Sequence, residues 1–365
     1  MATNKNQHFV PRCYLRPFTT EQSDRAINLY NIDRQKVING APLKHQCSGD
    51  YFYGKDEYLE AGIQAVEGTY AAAMKSILTP GYKLIDEHRS LLKVFWLMQH
   101  LRTEAASRRS VELSEVMRNV IGAGADQFRI EIKEAVQIAM RAFGESMGIL
   151  DDLKVVLVRN RTAVPFVTSD DPAILTNRWH LHNSRRLGRT FGLHSAGDLM
   201  LLPLSPTVLC FAYDGDVHSI GHVGGWAEIK NDADADALNQ HQYLNCRANI
   251  FFRDDACGRL VHDSFLRMQS LRPAQRHKLH YAVRDQTAGE PARYVVVDPA
   301  TAREHKEALI HTETNHAAPS SWPRLLTWRA GAHVYTNGTG MGYVRKAFTN
   351  RPTREPFKRL QAFLG

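Results

Sequence analysis

The apolar residues of this chain change their spacing near residue 150, and this change constrains the fold more than any other feature. Before it they recur at intervals of three and four, as Ile63, Val66 and Tyr70 do, which is the period of an amphipathic helix. Helices are predicted over 58–78, 87–109 and, with interruptions, 111–147. After it, short runs rich in β-branched residues predict strands at 153–158, 164–168, 173–175, 199–202 and 208–213. We therefore predict an α+β protein with a central mixed sheet and a helical subdomain inserted near the N-terminal half.

Shorter patterns complete this prediction towards both ends. The runs 26–32 and 36–38 flank an Asn-Ile-Asp-Arg turn and predict a hairpin. A further helix is predicted over 232–247, with strands over 249–253 and 294–297. We divide the chain into an N-terminal docked segment and hairpin (1–50), a helical subdomain (51–150), a sheet-containing core (151–288) and a loop-rich C-terminal appendage (289–365).

Composition excludes several classes of protein. The hydrophobic fraction of 43% and the charged fraction of 23% are ordinary for a globular protein. No apolar run approaches the ~18 residues of a membrane span, so a soluble protein is expected. The first six residues lack the apolar stretch of a secretory signal, which favours the cytoplasm. The 5 cysteines form no Cys-x-x-Cys pair, so neither a disulfide framework nor a thiolate zinc site is indicated.

The charge balance of the chain says more about partners than about the fold. A net charge of +8 and a pI near 9.2 favour an anionic partner such as nucleic acid or a nucleotide. The sequence contains no glycine-rich phosphate-binding loop, no nucleophile elbow and no dinucleotide fingerprint. Those enzyme classes are therefore disfavoured.

The stretch from residue 7 to residue 18 sets reactive polar side chains among large apolar ones. Terminal residues are usually polar and poorly ordered, so this composition predicts a segment docked into the body of the protein. His8 suits acid–base chemistry, and Arg12 suits a bidentate grip on phosphate or carboxylate. The alternative is that His8 and Arg12 tie the segment to the sheet, with Arg12 paired to Asp170.

A second stretch, Phe-Val-Thr-Ser-Asp-Asp-Pro at 166–172, reads as a strand that ends in a carboxylate-bearing turn. Adjacent carboxylates at Asp170 and Asp171 suit Mg²⁺, which prefers hard oxygen ligands and serves phosphodiester chemistry. The alternative is an ordinary turn before Pro172, in which Ser169 or Asp170 accepts hydrogen bonds from local backbone N–H groups.

Together the two stretches resemble the bacterial domain-of-unknown-function family 4238, whose members open with a His-Phe-Val-Pro-like motif and later carry Phe-x-Thr-Ser-Asp-x-Pro. Further landmarks are Arg102 at the end of an apolar helix, Pro203-Leu204-Ser205-Pro206, and Leu238-Asn239 leading to Arg247. The resemblance covers roughly residues 7–253. It implies a shared fold and leaves the reaction and the substrate open.

A polar insertion at 177–197 interleaves aromatic and basic residues. A loop that binds nucleic acid needs both, since cations meet phosphates and aromatic rings stack on bases. The alternative is a solvated flexible loop. The candidate nucleic-acid-binding residues are Arg178, Trp179, Arg185, Arg186 and Arg189.

The leading functional hypothesis is a metal-dependent hydrolase acting on nucleic acid or nucleotide, with a role in bacterial defence. Asp170 and Asp171 would hold Mg²⁺, His8 would act as general acid or base, and Arg12 and Arg102 would hold phosphate. This hypothesis expects His8, Arg12 and Asp170 to meet in one pocket. The rival hypothesis is a non-catalytic binding or interaction module in which the same residues form a structural network.

Overall fold

The computed structural model of the protein describes residues 5–22, 24–121, 129–182, 190–285, 293–298, 308–339, 341–353 and 355–362. Within these residues the chain forms helices and several sheets, so the α+β prediction is confirmed. The helices are α1 (Arg12–Leu15), α2 (Glu57–Ile77), α3 (Asp86–Arg102), α4 (Glu104–Ile121), α5 (Ile132–Ser146), α6 (Arg178–His182), α7 (Asp232–Asn245) and α8 (Gly258–Gln269).

The strands are β1 (Asn6–His8), β2 (Ala26–Asn31), β3 (Lys36–Pro42), β4 (Ser48–Asp50), β5 (Lys154–Asn160), β6 (Thr168–Ser169), β7 (Ile174–Thr176), β8 (Leu199–Ser205), β9 (Val208–Tyr213), β10 (His218–Ser219), β11 (Trp226–Ile229), β12 (Asn249–Phe252), β13 (His277–Arg284), β14 (Tyr294–Val296), β15 (Ala308–Thr314), β16 (Thr327–Trp328), β17 (His333–Thr336) and β18 (Lys358–Gln361).

The largest sheet of the described residues is a five-stranded mixed sheet of order β11-β5-β9-β8-β7, in which β11 and β5 are parallel and the other pairs antiparallel. A four-stranded antiparallel sheet has the order β3-β2-β12-β6, and a three-stranded one the order β14-β13-β15. The pairs β1-β4, β10-β16 and β17-β18 are antiparallel.

The central sheet is covered on both faces, which explains why β8 and β9 are buried at every position. Alternate residues of a strand point to opposite faces. Leu157 on one face joins the core cluster that contains Phe95 of α3, and Val156 and Val158 on the other face join the cluster that contains Leu238 of α7. The helical layer and α7 therefore enclose the sheet between them.

Strand pairing links the N-terminal hairpin to the sheet-containing core. β2 pairs with β3, as the turn between them predicts, and also with β12, so the hairpin extends a sheet built from residues far along the chain. Tyr14 of α1 adds a second connection, since its hydroxyl lies 2.7 Å from the hydroxyl of Thr168. The N-terminal segment is thus docked against the body of the protein, while the four-part division of the chain stays a prediction.

Two predicted elements differ from the structure for a shared reason. The predicted helix 87–109 is interrupted at Thr103, whose backbone is extended because its side chain accepts from the N–H of Ala106 and donates to Asp171. The predicted strand 164–168 is reduced to β6, since Asn239 of α7 takes the hydrogen bond of the Val167 N–H. In both places a side chain replaces regular backbone pairing.

No helix among the described residues combines the length and the hydropathy that crossing a bilayer requires.

Arg345 fastens the C-terminal part of the chain to the core. Its guanidinium is buried and donates to Asp198 at 2.8 Å, to Asp152 at 2.8 Å and to the carbonyl oxygens of Leu193 and Ile149. Asp198 is fully buried, so its charge depends on this partner. Burial raises the pKa of Asp198, and Arg345 opposes that rise.

We expect Arg345→Met to lower the free energy of unfolding by about 3–5 kcal/mol, because it leaves the Asp198 carboxylate buried without its cation. Urea unfolding followed by circular dichroism measures the change. Arg351→Met, at an exposed position of the same C-terminal region, is the control and should cost roughly 0.5 kcal/mol or less. Equal losses in the two variants would contradict an anchoring role for Arg345.

Candidate anion-binding cleft

One face of α7 holds the Thr-Ser-Asp-Asp-Pro segment in place. Asn239, Gln242 and Asn245 are spaced by three, so their side chains lie along one side of the helix. The amide of Asn239 donates to Pro165 O at 2.8 Å, Gln242 donates to Pro172 O at 2.9 Å, and Asn245 donates to the backbone carbonyl of Asp171 at 2.8 Å. These amides satisfy backbone groups that would otherwise be buried without partners.

Asp170 organises the backbone that follows α7. One carboxylate oxygen accepts from the N–H of Arg247 at 2.8 Å, and the other accepts from Ala248 at 2.7 Å and Asn249 at 2.9 Å. Burial raises the pKa of Asp170 to about 6, against the effect of these three N–H donors. The side chain therefore accepts from the backbone of a distant segment and not from the local N–H groups that the turn-forming alternative expects; the local bond is made by Ser169, whose hydroxyl oxygen accepts from the N–H of Asp171 at 3.3 Å.

Asp171 is fully buried and is surrounded by donors from three elements. Its carboxylate accepts from Thr103 at 2.7 Å, from Arg109 of α4 at 2.5 Å and from Asn245 of α7 at 2.9 Å. Burial alone would raise the pKa of Asp171, but Arg109 and the hydroxyl of Thr103 bring it below its usual value. Asp171 is thus an ionised acceptor that positions cationic and amide groups.

The residues at 170 and 171 do not fit a Mg²⁺ ion. All four carboxylate oxygens accept hydrogen bonds, and one carboxylate already faces the guanidinium of Arg109, which would repel a divalent cation. Across the described ranges, no group of three His, Cys, Asp or Glu side chains is arranged to hold a metal ion. This geometry disfavours metal ligation by Asp170 and Asp171.

Beside Asp171, a cavity of about 450 Å³ opens between α4 and residues 272–277, and we call it the arginine cleft. Its acidic lining residues are Glu112 and Glu115. Cations outnumber them, so the cleft favours an anionic occupant. The arginines that line it are Arg108, Arg109, Arg247, Arg272 and Arg276.

Two of these arginines are held by the C-terminal end of α7, where backbone carbonyls lack helical partners. Arg272 donates to the carbonyls of Tyr243 at 2.6 Å and Cys246 at 2.7 Å. Arg276 donates to the side-chain and backbone oxygens of Asn245, both at 3.2 Å. Burial, with repulsion from Arg109 and Arg272, lowers the pKa of Arg276 to about 10, so it stays cationic at neutral pH. A bound anion would relieve that repulsion.

A second cavity of about 360 Å³ adjoins the arginine cleft, and we call it the histidine pocket. The two cavities share the side chains of Arg109, Asn245, Arg276 and His277. The pocket is lined by four histidines, His100, His241, His277 and His316. Burial lowers the pKa of all four, to about 4 for His241 and about 3 for His316, so these rings are neutral at pH 7.

The N-terminal site residues line a different cavity, of about 350 Å³, with Glu67 of α2 in its wall. His8 lies 3.1 Å from Gln46 O, and burial lowers its pKa. Arg12 is exposed and donates to Asp24 O at 3.3 Å. Arg102 is fully buried and donates to Glu67 at 2.7 Å. The structure therefore brings together His8, Arg12 and, through Glu67, Arg102.

Asp170 and Asp171 do not line the cavity that contains His8 and Arg12, so the expected single pocket is not formed. Arg12 is also not paired with Asp170, whose oxygens accept from backbone N–H groups. The physical reason is that the N-terminal segment contacts α2 and α3, while the carboxylates face α4 and α7.

The two candidate nucleic-acid-binding residues that the structure describes pack against the rest of the protein. Trp179 is 2% exposed and stacks edge-on against Tyr343, so it is not free to stack on a base. Arg178 donates to Leu326 O at 2.7 Å and lies over the ring of Trp328. Both residues connect the core to the C-terminal part. Arg185, Arg186 and Arg189 lie outside the described residues.

The residues that form the arginine cleft are not among the site residues predicted from the sequence. The neighbouring arginines at 108 and 109, and those at 272 and 276, are separated by more than 150 residues, and only the fold places them together. The sequence shows the arginines of each cluster close together, but not that both clusters meet at the C-terminal end of α7. That signal alone names neither a pocket nor a ligand.

The family model described as "Protein of unknown function (DUF4238)" matches residues 6–256, which is more than half of the chain. The chain belongs to this family. Among curated proteins and solved structures, none matches the chain. The family match confirms the resemblance that the stretches 7–18 and 166–172 indicated.

We expect Asp170→Asn to destabilise the protein by about 1–3 kcal/mol for each backbone N–H that loses its acceptor. The amide nitrogen of asparagine cannot accept, and Asp170 serves three such N–H groups. Thermal and urea unfolding measure the loss. The control is Asp254→Asn, whose side chain is 57% exposed. If Asp170→Asn unfolded like the wild type yet lost ligand binding, the side chain would be a ligand contact after all.

Proposed function

We propose that the protein binds a phosphate-bearing ligand, a nucleotide or a nucleic acid, in the arginine cleft. The observation that carries the proposal is the meeting of Arg109, Arg272 and Arg276 in one cavity. A guanidinium presents N–H donors in a planar fork that matches the oxygens of a phosphate. The net charge of +8 supports an anionic partner as well.

Preorganisation strengthens this interpretation. Arg109 is oriented by Asp171, and Arg276 by Asn245, so neither guanidinium must lose all its conformational freedom when a ligand binds. Asp171 is fully buried, whereas Arg109 is 21% exposed, so the cation is the partner that reaches the cleft. The buried carboxylate thus supports a cation that remains accessible to an anion.

A second candidate function, hydrolysis of a phosphodiester without a metal ion, rests on one specific observation. His277 lines both the arginine cleft and the histidine pocket, and its Nδ1 atom is buried without a hydrogen-bond partner. Burial and the nearby Arg109 lower the pKa of His277, which keeps its ring neutral and able to accept a proton. A neutral histidine beside phosphate-binding arginines suits general base catalysis.

In this proposal the N-terminal cavity has a structural role. The buried side chains of Arg102 and Gln99 are hydrogen-bonded to each other, and Arg102 donates to Glu67, which lines the same cavity as His8 and Arg12; this fits the rival view that these residues form a structural network. A cytoplasmic location, expected from the sequence, is part of the proposal because nucleotides and nucleic acids occur there. A role in bacterial defence remains a proposal of the same kind.

We expect Arg276→Gln to weaken binding of inorganic pyrophosphate and of a short single-stranded oligonucleotide by about 10- to 100-fold, since it removes a charged hydrogen-bond donor worth roughly 1.5–3 kcal/mol. The slope of log affinity against log salt should also fall by about one for the oligonucleotide. Titration calorimetry at two or more salt concentrations measures both effects.

Arg259→Gln is the matched control, because it removes the same charge from a side chain that is 93% exposed and does not line the cleft. It should leave affinity within about twofold of the wild type. The proposal is overturned if wild-type protein binds neither probe at low salt, or if both variants weaken binding equally.

We expect wild-type protein to cleave a single-stranded oligonucleotide in the presence of EDTA, and His277→Gln to reduce the rate by about 10²–10⁴-fold with little change in affinity. A gel assay under single-turnover conditions measures the rate. His45→Gln, at an exposed position outside the cleft, is the control. Binding without cleavage in the wild type would leave the non-catalytic module as the function.

A further inference from the structure

We propose that the histidine pocket receives the heteroaromatic base of a nucleotide whose phosphate lies in the arginine cleft. This inference rests on the proposed function and specifies the group that is attached to the bound phosphate. The cavities adjoin each other, since both are lined by Arg109, Asn245 and Arg276. A single ligand with an anionic end and a neutral end would therefore span them.

Residues that line the pocket carry buried polar atoms without a hydrogen-bond partner, which favours an occupant that forms hydrogen bonds. Thr176 Oγ1, His241 Nε2 and His316 Nε2 are buried and have no hydrogen-bond partner within the described residues. Buried polar groups without partners are rare in proteins, and these three residues line one cavity. A ligand with donors and acceptors on its edge would satisfy them.

Apart from Arg109 and Arg276, which it shares with the arginine cleft, the lining of the pocket is uncharged at neutral pH, and this part of the lining suits a neutral ligand group. His241 is 3% exposed and stays uncharged at neutral pH, as its lowered pKa requires. A neutral imidazole has one nitrogen that donates and one that accepts. Such rings match the mixed donors and acceptors of a nucleobase, whereas a phosphate would find its cationic partners in the arginine cleft.

The shape of the lining favours a flat ring. Phe191 and His316 both line the pocket, and their rings stack with centroids 3.6 Å apart and planes 17° from parallel, so the wall contains two nearly parallel aromatic rings. Ile174 and Leu244 supply apolar walls. The volume of about 360 Å³ lies within the range of small-molecule sites. A planar base can bury its faces against these groups while its edge meets the unpaired polar atoms.

The test compares ligands that share a phosphate and differ in the base. The four nucleoside monophosphates, ribose 5-phosphate and inorganic pyrophosphate are titrated into the full-length protein by calorimetry at low salt. We expect at least one nucleoside monophosphate to bind at least about tenfold more tightly than ribose 5-phosphate, because the base adds stacking and hydrogen bonds.

Two variants assign that difference to the pocket. Thr176→Val is nearly isosteric and removes one unpaired hydroxyl, and His241→Gln replaces a second lining group. Each should lower affinity for the preferred nucleotide by about fivefold or more while leaving affinity for ribose 5-phosphate unchanged. His45→Gln should change neither. Thermal unfolding confirms that each variant is folded, and Thr176→Val keeps the test valid if His241→Gln does not fold.

The outcomes separate this inference from the proposed function. Pyrophosphate binding with no preference for nucleotides over ribose 5-phosphate would overturn the base pocket and leave the arginine cleft as a phosphate site. A variant that weakens all ligands equally would also overturn it. Absence of any binding would refute the proposed function itself. Tighter binding of an oligonucleotide than of a mononucleotide, with the same loss in Thr176→Val, would support the pocket and identify a nucleic acid strand as the source of the base.

Discussion

The buried charge of Asp171 is the constraint on which the site depends. Removing a carboxylate from water costs several kcal/mol unless cations and donors surround it. Thr103, Arg109 and Asn245 meet that requirement from three different parts of the fold. Two of them have a second task, since Thr103 caps α4 and Asn245 accepts from Arg276. The need to stabilise this one carboxylate therefore links the helix break at Thr103, the C-terminal end of α7 and the positions of Arg109 and Arg276.

The neighbouring carboxylates illustrate why a sequence pattern does not reveal chemistry. Asp170 and Asp171 are adjacent and both buried, yet burial raises the pKa of the first to about 6 while Arg109 helps to hold that of the second below its usual value. The two residues lie in the bend that follows β6, where the first side chain meets backbone N–H groups and the second meets the guanidinium of Arg109. A pair that resembles a magnesium site in the sequence serves as two separate anchors in the fold.

The sequence predicted the elements that depend on local periodicity. The α2 helix, the β5 strand and the β8 and β9 strands lie close to their predicted ranges, because apolar spacing and β-branched residues act locally. It did not predict the break at Thr103, where a tertiary hydrogen bond to Asp171 outweighs helix propensity. The sequence also did not predict the burial of Trp179, because the composition of a loop does not show which of its side chains pack into the core.

The candidate site was the hardest part to predict because it joins residues from both sides of the family boundary. Arg109, Asp171 and Asn245 lie within residues 6–256, whereas Arg276 and His316 lie beyond them. The family region supplies the anchored carboxylate and the helix terminus that cations seek. The later residues supply a guanidinium and an imidazole that complete the two cavities. The proposed phosphate site thus draws on both regions, and the shape of the pocket proposed for the remainder of the ligand depends on residues that follow the family domain.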